Sequence, residues 1–214
     1  MPELAAFAKD HPQRTYKKGE IILHAGQTPF SVFYIQKGFV KFYGLNDDGD
    51  EQLVGIDKPG DIFPIGWTIG KHDMAFYFHE ALSPVTLSLL PRESFLKFLK
   101  EKPELSYELY IGLVDRYMDL SSRINSMLQS GARYKLLFSL RYLATRYGKP
   151  YPLSPRKLVI DDFAVTHQMI ANMIGLSRET VSIEMKKLAR DGFITQRIRR
   201  LVVDLEKINQ LLSS

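Results

Sequence analysis

The chain has 214 residues, 45% of them hydrophobic and 25% charged, which fits a folded globular protein and argues against a disordered or fibrous one. It has no cysteine, which excludes disulfides, thiolate nucleophiles, cysteine zinc sites and the usual iron–sulfur clusters. Its net charge of +5 is unevenly spread: residues 131–214 hold 15 Lys+Arg against 7 Asp+Glu, a net +8, and residues 1–130 hold 14 against 17, a net −3. A polyanion is therefore expected to meet the C-terminal end.

No run approaches the ~20 apolar residues of a membrane span. The opening MPELAAFAKDHPQRTYKKGE carries acids where a signal peptide is apolar, so a cytoplasmic chain without membrane association is expected. From Thr15 to about Leu90, short apolar runs alternate with glycine-marked turns. β-branched and aromatic residues at alternate positions, as in Val32, Tyr34 and Val40, Phe42, predict many short antiparallel strands in a sandwich or barrel. Asn46-Asp47-Asp48-Gly49-Asp50 reads as a hairpin tip. It is not an EF-hand loop, because Ile56-Asp57-Lys58 supplies no Glu at the twelfth position.

Pro103 opens a long helical stretch on which Tyr110, Leu113, Tyr117, Leu120, Ile124 and Met127 alternate at spacings of three and four. That is a heptad seam, and it predicts a parallel helix pair with a second copy of the chain. ARYKLLFSLRYLATRYG follows as an amphipathic helix ended by Gly148, and KPYPLSPRK reads as a proline-rich connector. Three shorter pieces complete the chain: a helix from a Thr166 cap to Gly175, a helix from Ser177 to Gly192, and FITQRIRRLVVDL, which alternates like a hairpin.

Two short helices separated by Gly175-Leu176-Ser177 have the spacing of a helix-turn-helix. On the second, Val181, Met185 and Leu188 share one face, and Arg178, Glu179, Ser182 and Lys186 fall away from it. A guanidinium there bonds bidentately to guanine and a carboxylate accepts from cytosine N4. Lys186, Lys187 and Arg190 suit phosphate, and Arg197, Arg199 and Arg200 lie where a wing touches flanking backbone or minor groove. Thr166, His167 and Gln168, at the start of the first helix, and Ser177 and Thr180, at the start of the second, complete the expected DNA-contacting set.

THQMIANMIGLSRETVSIEMKKLARDGFI, with its SRETVS core, resembles the helix-turn-helix of the cyclic-AMP receptor protein (CRP)/FNR superfamily of bacterial transcription regulators. YIQKGFVKFY and KPGDIF extend the resemblance over almost the whole chain. It implies an α+β fold: an antiparallel β-roll, or cyclic-nucleotide-binding-like jelly roll, over residues 1–102, a dimerisation helix over 103–130, and a winged helix-turn-helix over 131–214. It also implies a homodimer on a palindromic operator, with RNA polymerase as a partner and Arg178 and Glu179 as the base-reading pair. Ile183 departs from the family, in which many members place a second base-contacting Arg there. Isoleucine instead suits a thymine methyl.

The effector site departs further. Cyclic-nucleotide-binding members hold the phosphate with a Gly-Glu-Leu turn and an Arg followed by Ser or Thr; alignment puts Pro64-Ile65 and Ala75-Phe76 at those places. A cyclic phosphate buried without a cation is strongly disfavoured, so cyclic AMP is not expected as the ligand. The segment instead carries Ile65, Trp67, His72, Phe76 and Phe78, which either line an apolar or haem pocket, with His72 or His79 as axial ligand, or, as Trp67, Phe76 and Phe78 suggest, simply close the β-roll core. Pro2 invites comparison with the family's carbon-monoxide sensor, which ligates haem through an N-terminal proline. No catalytic residue and no metal site are expected. The five histidines, His11, His24, His72, His79 and His167, form no HxH pair with a following Glu, and no RNA-binding aromatic array interrupts the basic segment.

Overall fold

The computed structural model describes residues 2–128 and 130–213. They divide into two units, Met1–Asp115 and Arg116–Ser214, with the division falling inside the long helix.

The first unit is a β-roll of two four-stranded antiparallel sheets. One has the order β1 (Gln13–Tyr16), β8 (Val85–Leu90), β3 (Val32–Lys37), β6 (Ile62–Phe63). The other has the order β2 (Ile21–Leu23), β7 (Phe78–Ala81), β4 (Val40–Leu45), β5 (Glu51–Asp57). Strand β3 is buried on both faces. Period-2 alternation sends Phe33 and Ile35 into the roll with Leu23, Val40, Phe63, Ala81 and Leu87, and Val32 and Tyr34 to the other side. There they meet three helices: α1 (Pro2–Lys9) through Leu4 and Ala8, α3 (Arg92–Glu101) through Phe95, and the start of α4 (Pro103–Met127) through Leu105; the single turn α2 (Ile65–Thr68) follows β6. Four buried aromatic and branched side chains on a strand of six are why this strand reads as a continuous apolar run.

The β4–β5 hairpin tip folds as its sequence predicts: the Asn46 side-chain carbonyl accepts the backbone N–H groups of Asp48 (3.1 Å) and Asp50 (2.8 Å). At the other end of β4 the chain needs a glycine. Gly38 has φ +85°, and a Cβ there would lie 2.2 Å from the Pro84 carbonyl oxygen.

The second unit continues from α4 into α5 (Ala132–Tyr147), α6 (His167–Ile174) and α7 (Arg178–Arg190). It also holds a sheet of order β11 (Ile194–Arg197), β12 (Arg200–Asp204), β10 (Ser154–Ile160), β9 (Lys149–Tyr151), and ends on α8 (Leu205–Leu212). The stretch KPYPLSPRK is therefore not a plain connector but the β9–β10 hairpin. Its prolines sit where no ladder N–H is needed: Pro150 on the edge strand, and Pro155 in the irregular part of β10, where the register shifts between Ser154 and Leu158.

On the outward face of the β4 sheet, Lys41 Nζ lies 2.8 Å from Glu51 and 3.1 Å from Glu80, and 4.6 Å above the Tyr43 ring. The buried Tyr43 hydroxyl donates to Glu80 at 3.3 Å. Burial, followed by the Glu80 and Glu51 charges and this hydrogen bond, raises its pKa to about 12 from an ordinary 10.0. The unfolded chain thus loses this proton first. Stability contributed by the protonated phenol is complete below pH 10 and is lost as pH rises from about 10 to about 12. Urea unfolding across that range should show a shallower decline for Tyr43→Phe than for the wild type.

Candidate nucleic-acid interface

Helix α6 starts at Thr166, whose hydroxyl accepts the Met169 N–H at 3.1 Å, and stops at Gly175 in the left-handed conformation, φ 67°. The left-handed turn reverses the chain within two residues, and Ser177 caps α7 by accepting the Thr180 N–H at 3.1 Å. Both caps and the turn are those the sequence predicts. The buried residues of α7 are Val181, Met185 and Leu188, the face expected, and they pack towards α5 and α6. This burial fixes the rotation of α7. Arg178, Glu179, Ile183 and Lys186 are exposed on it, and Ser182 and Thr180 are partly so.

Among the described residues, Arg178, Glu179 and Lys186 form no ion pair, so their charges are available to a ligand. Lys187 is different: its Nζ lies 2.6 Å from Glu184. Arg190 faces Asp191 at 3.8 Å. At the start of α6, exposed Gln168 donates to Asn172 at 2.6 Å.

The β11–β12 hairpin forms a wing whose register sets Arg197 opposite Arg200, with Ile198 and Arg199 at the turn. Its strand is tied to the first helix by Gln196, a residue that sequence reading does not single out. The Gln196 side chain meets His167 Nε2 at 3.1 Å through its carbonyl and donates to the Val165 backbone carbonyl at 3.1 Å through its amide. His167 is thus a positioning residue for the wing. No local pattern announces the contact, because its partners are 29 and 31 residues apart in the chain. Arg200 is braced by Asp161 at 3.8 Å and lies 5.8 Å from the Tyr151 ring centre. At the opposite end of α7, Arg133 of α5 holds Asp191 at 2.9 Å, and Lys207 donates to the Asp191 carbonyl at 2.6 Å.

The predicted seam of α4 lies open on the single chain. Tyr110, Leu113, Tyr117, Leu120, Ile124 and Met127 are between 40% and 67% exposed, and Tyr107, Ile111, Val114 and Met118 beside them are exposed as well.

The structure does not bring the five expected effector-pocket residues together. Ile65 and Trp67 pack on the helix-covered side of the first sheet. Phe76 is 66% exposed and lies against the rings of exposed His72 and half-buried Tyr77, so it closes no core. Phe78 points outward and stacks on Tyr43, because its neighbour His79 takes the inward position in β7. Inside the roll, rings are stacked in a column: Phe33 on Phe63 (5.1 Å), Phe63 on His79 (4.7 Å) and His79 on Phe42 (5.9 Å). Gly55 makes room for Phe42, since a Cβ there would lie 2.4 Å from the ring. Ala75 is buried among these residues. Pro2 opens α1 on the helix-covered side of the first sheet, His79 points into the roll, and His72 is exposed beside Gly66. Among the described residues no group of three or more His, Asp or Glu is placed to hold a metal, and no helix is long and apolar enough to cross a membrane.

Comparison with known proteins matches residues 13–102 to the cyclic nucleotide-binding domain and residues 136–211 to the Crp-like helix-turn-helix domain. The chain is 28% identical over 189 residues to the global nitrogen regulator of Synechococcus elongatus, covering 88% of this chain and 83% of that protein. It is 22% identical over 205 residues to the cAMP-activated global transcriptional regulator CRP of Pasteurella multocida, covering 94% of each. Among solved structures, a CRP/FNR-family transcriptional regulator from Thermus thermophilus aligns with a TM-score of 0.70 at 25% identity, over 95% of this chain and 99% of that one. A CooA mutant from Carboxydothermus hydrogenoformans shares the fold, with a TM-score of 0.76 at 24% identity over 96% of this chain and 89% of that one.

Removing the α7 cap should loosen the element that presents Arg178 and Glu179. Ser177→Ala is expected to cost the C-terminal unit about 1 kcal/mol, measurable as faster hydrogen exchange of the first-turn amides of α7.

Proposed function

The chain belongs to the CRP/FNR superfamily of DNA-binding transcription regulators, and from that premise we propose that it acts as a homodimer on a two-fold-symmetric operator. Helix α7 enters the major groove in each half-site. Arg178 and Glu179 read base edges, Ile183 packs on a thymine methyl, and Ser182 and Thr180 supply adaptable hydroxyls. Thr166, His167, Gln168, Ser177, Lys186 and Lys187 contact or position the phosphate backbone around it, and Arg197, Arg199 and Arg200 touch the flanking backbone or minor groove. Lys187 and Arg200 reach DNA by exchanging carboxylate partners for phosphate. The observation that carries this reading is the exposed first turn of α7, whose unpaired guanidinium and carboxylate are held outward by three buried side chains.

The regulator acts by binding alone, without catalysis, and works in the cytoplasm with RNA polymerase as its partner. Cyclic AMP is not its effector. Ala75, which takes the place of the family's phosphate-binding Arg, is buried in the apolar core and offers the phosphate no cation. The stacked column of Phe33, Phe63, His79 and Phe42 supports a second reading, in which the roll is filled by its own side chains and the protein binds its operator constitutively.

Selection of duplexes from a random pool by the purified protein should return a palindromic consensus with half-sites about one helical turn apart. Arg178→Ala should weaken binding to that consensus by ~1–3 kcal/mol and relax specificity at one base pair per half-site. An unchanged affinity would mean that α7 does not dock as described.

The open seam of α4 supports the dimer, since a row of exposed Tyr, Leu and Ile gains stability by pairing with its copy. Sedimentation should give twice the chain mass for the wild type and the chain mass for Leu120→Glu. Operator affinity should fall at least about tenfold in that variant, because two linked half-sites are lost.

A further inference from the structure

The wing does more than border the major-groove contact. We propose that it is a minor-groove probe: Ile198 wedges between base pairs flanking each half-site, and Arg197 and Arg199 enter the groove beside it. This rests on the DNA-binding reading above and adds a specificity-determining residue to it.

Three local features at the wing tip each disfavour the isolated chain. Ile198 is 97% exposed, more than any other large hydrophobic side chain among the described residues. It occupies a two-residue hairpin turn, Ile198-Arg199, in which neither residue has a positive φ, so the turn is not of the primed types whose twist matches the strands of a tight hairpin. The strand register then sets Arg197 directly across from Arg200, and like charges in that position repel. A tip that breaks several local preferences at once is gaining something outside the chain.

The minor groove reverses the cost of the exposed side chain and of the paired arginines. A narrow A·T-rich groove concentrates negative potential and draws in arginine. An apolar side chain inserted at a base step is desolvated there, and the step kinks towards the major groove. The wing is also prepared for this contact. Gln196 ties β11 to His167 and to the Val165 carbonyl, both at 3.1 Å, and Asp161 and Tyr151 hold Arg200, so the base is fixed. Arg197 and Arg199 form no ion pair among the described residues. Little ordering remains to be done on binding.

The test uses the full-length protein and the duplexes selected above, rebuilt with flanks of A·T, G·C or inosine·C pairs. Inosine lacks the guanine 2-amino group that blocks the minor groove but keeps guanine's major-groove acceptors. The wild type should bind A·T and I·C flanks about tenfold more tightly than G·C flanks. Ile198→Ala should erase that difference and Ile198→Leu should keep it, with all three proteins retaining their preference for the half-site core. A wild type indifferent to the flank, an I·C flank that behaves as G·C, or an Ile198→Ala protein with undiminished flank preference would each overturn the proposal and leave the major-groove reading standing. A wild type that binds no selected duplex would overturn both.

Discussion

The burial of Val181, Met185 and Leu188 is the interaction on which the C-terminal unit's role depends. A helix of thirteen residues can present any face, and these three side chains, packed towards α5 and α6, choose one. The charged first turn then faces outward because nothing else remains. Gly175 and the two caps decide where α7 begins, the Arg133–Asp191 pair holds its far end, and Gln196 sets the wing beside it. Recognition chemistry is thus a by-product of apolar packing, with the polar contacts supplying alignment.

The β-roll follows a different logic. Its central strand is buried on both faces, so one side can be covered by α1, α3 and α4 while the other faces its own second sheet. That second space, where relatives of this fold class are named for nucleotide binding, holds aromatic rings from both sheets stacked on one another.

Much of this was legible in the sequence because the signals were periodic. Alternation marked the strands, three-four spacing marked the α4 seam, and the Ser177 cap with Gly175 marked the turn of the helix-turn-helix. What escaped reading lacked either length or locality. Helix α1 buries only Leu4 and Ala8, α3 only Phe95, and α8 only Ile208, too few positions for a period to show. The β9–β10 hairpin hid behind its prolines. The aromatic-rich segment after Pro64 suggested a pocket by composition, yet strand alternation sends Phe78 and His79 to opposite faces, and a chain turn leaves Phe76 in solvent. Gln196 has partners visible only in three dimensions.

The placement of Pro150 on the outermost strand of the winged sheet has a further consequence. A sheet edge with free N–H and C=O groups can recruit a strand from another molecule and begin a continuous aggregate. Here β9 is three residues long, one of them a proline with no N–H to offer, and its first residue is a lysine turned to Asp162. At the other edge, β11 ends on Arg197 beside the basic wing tip. Two such edges, one blocked by covalent structure and the other guarded by charge, let many copies crowd along one polyanion without their sheets joining.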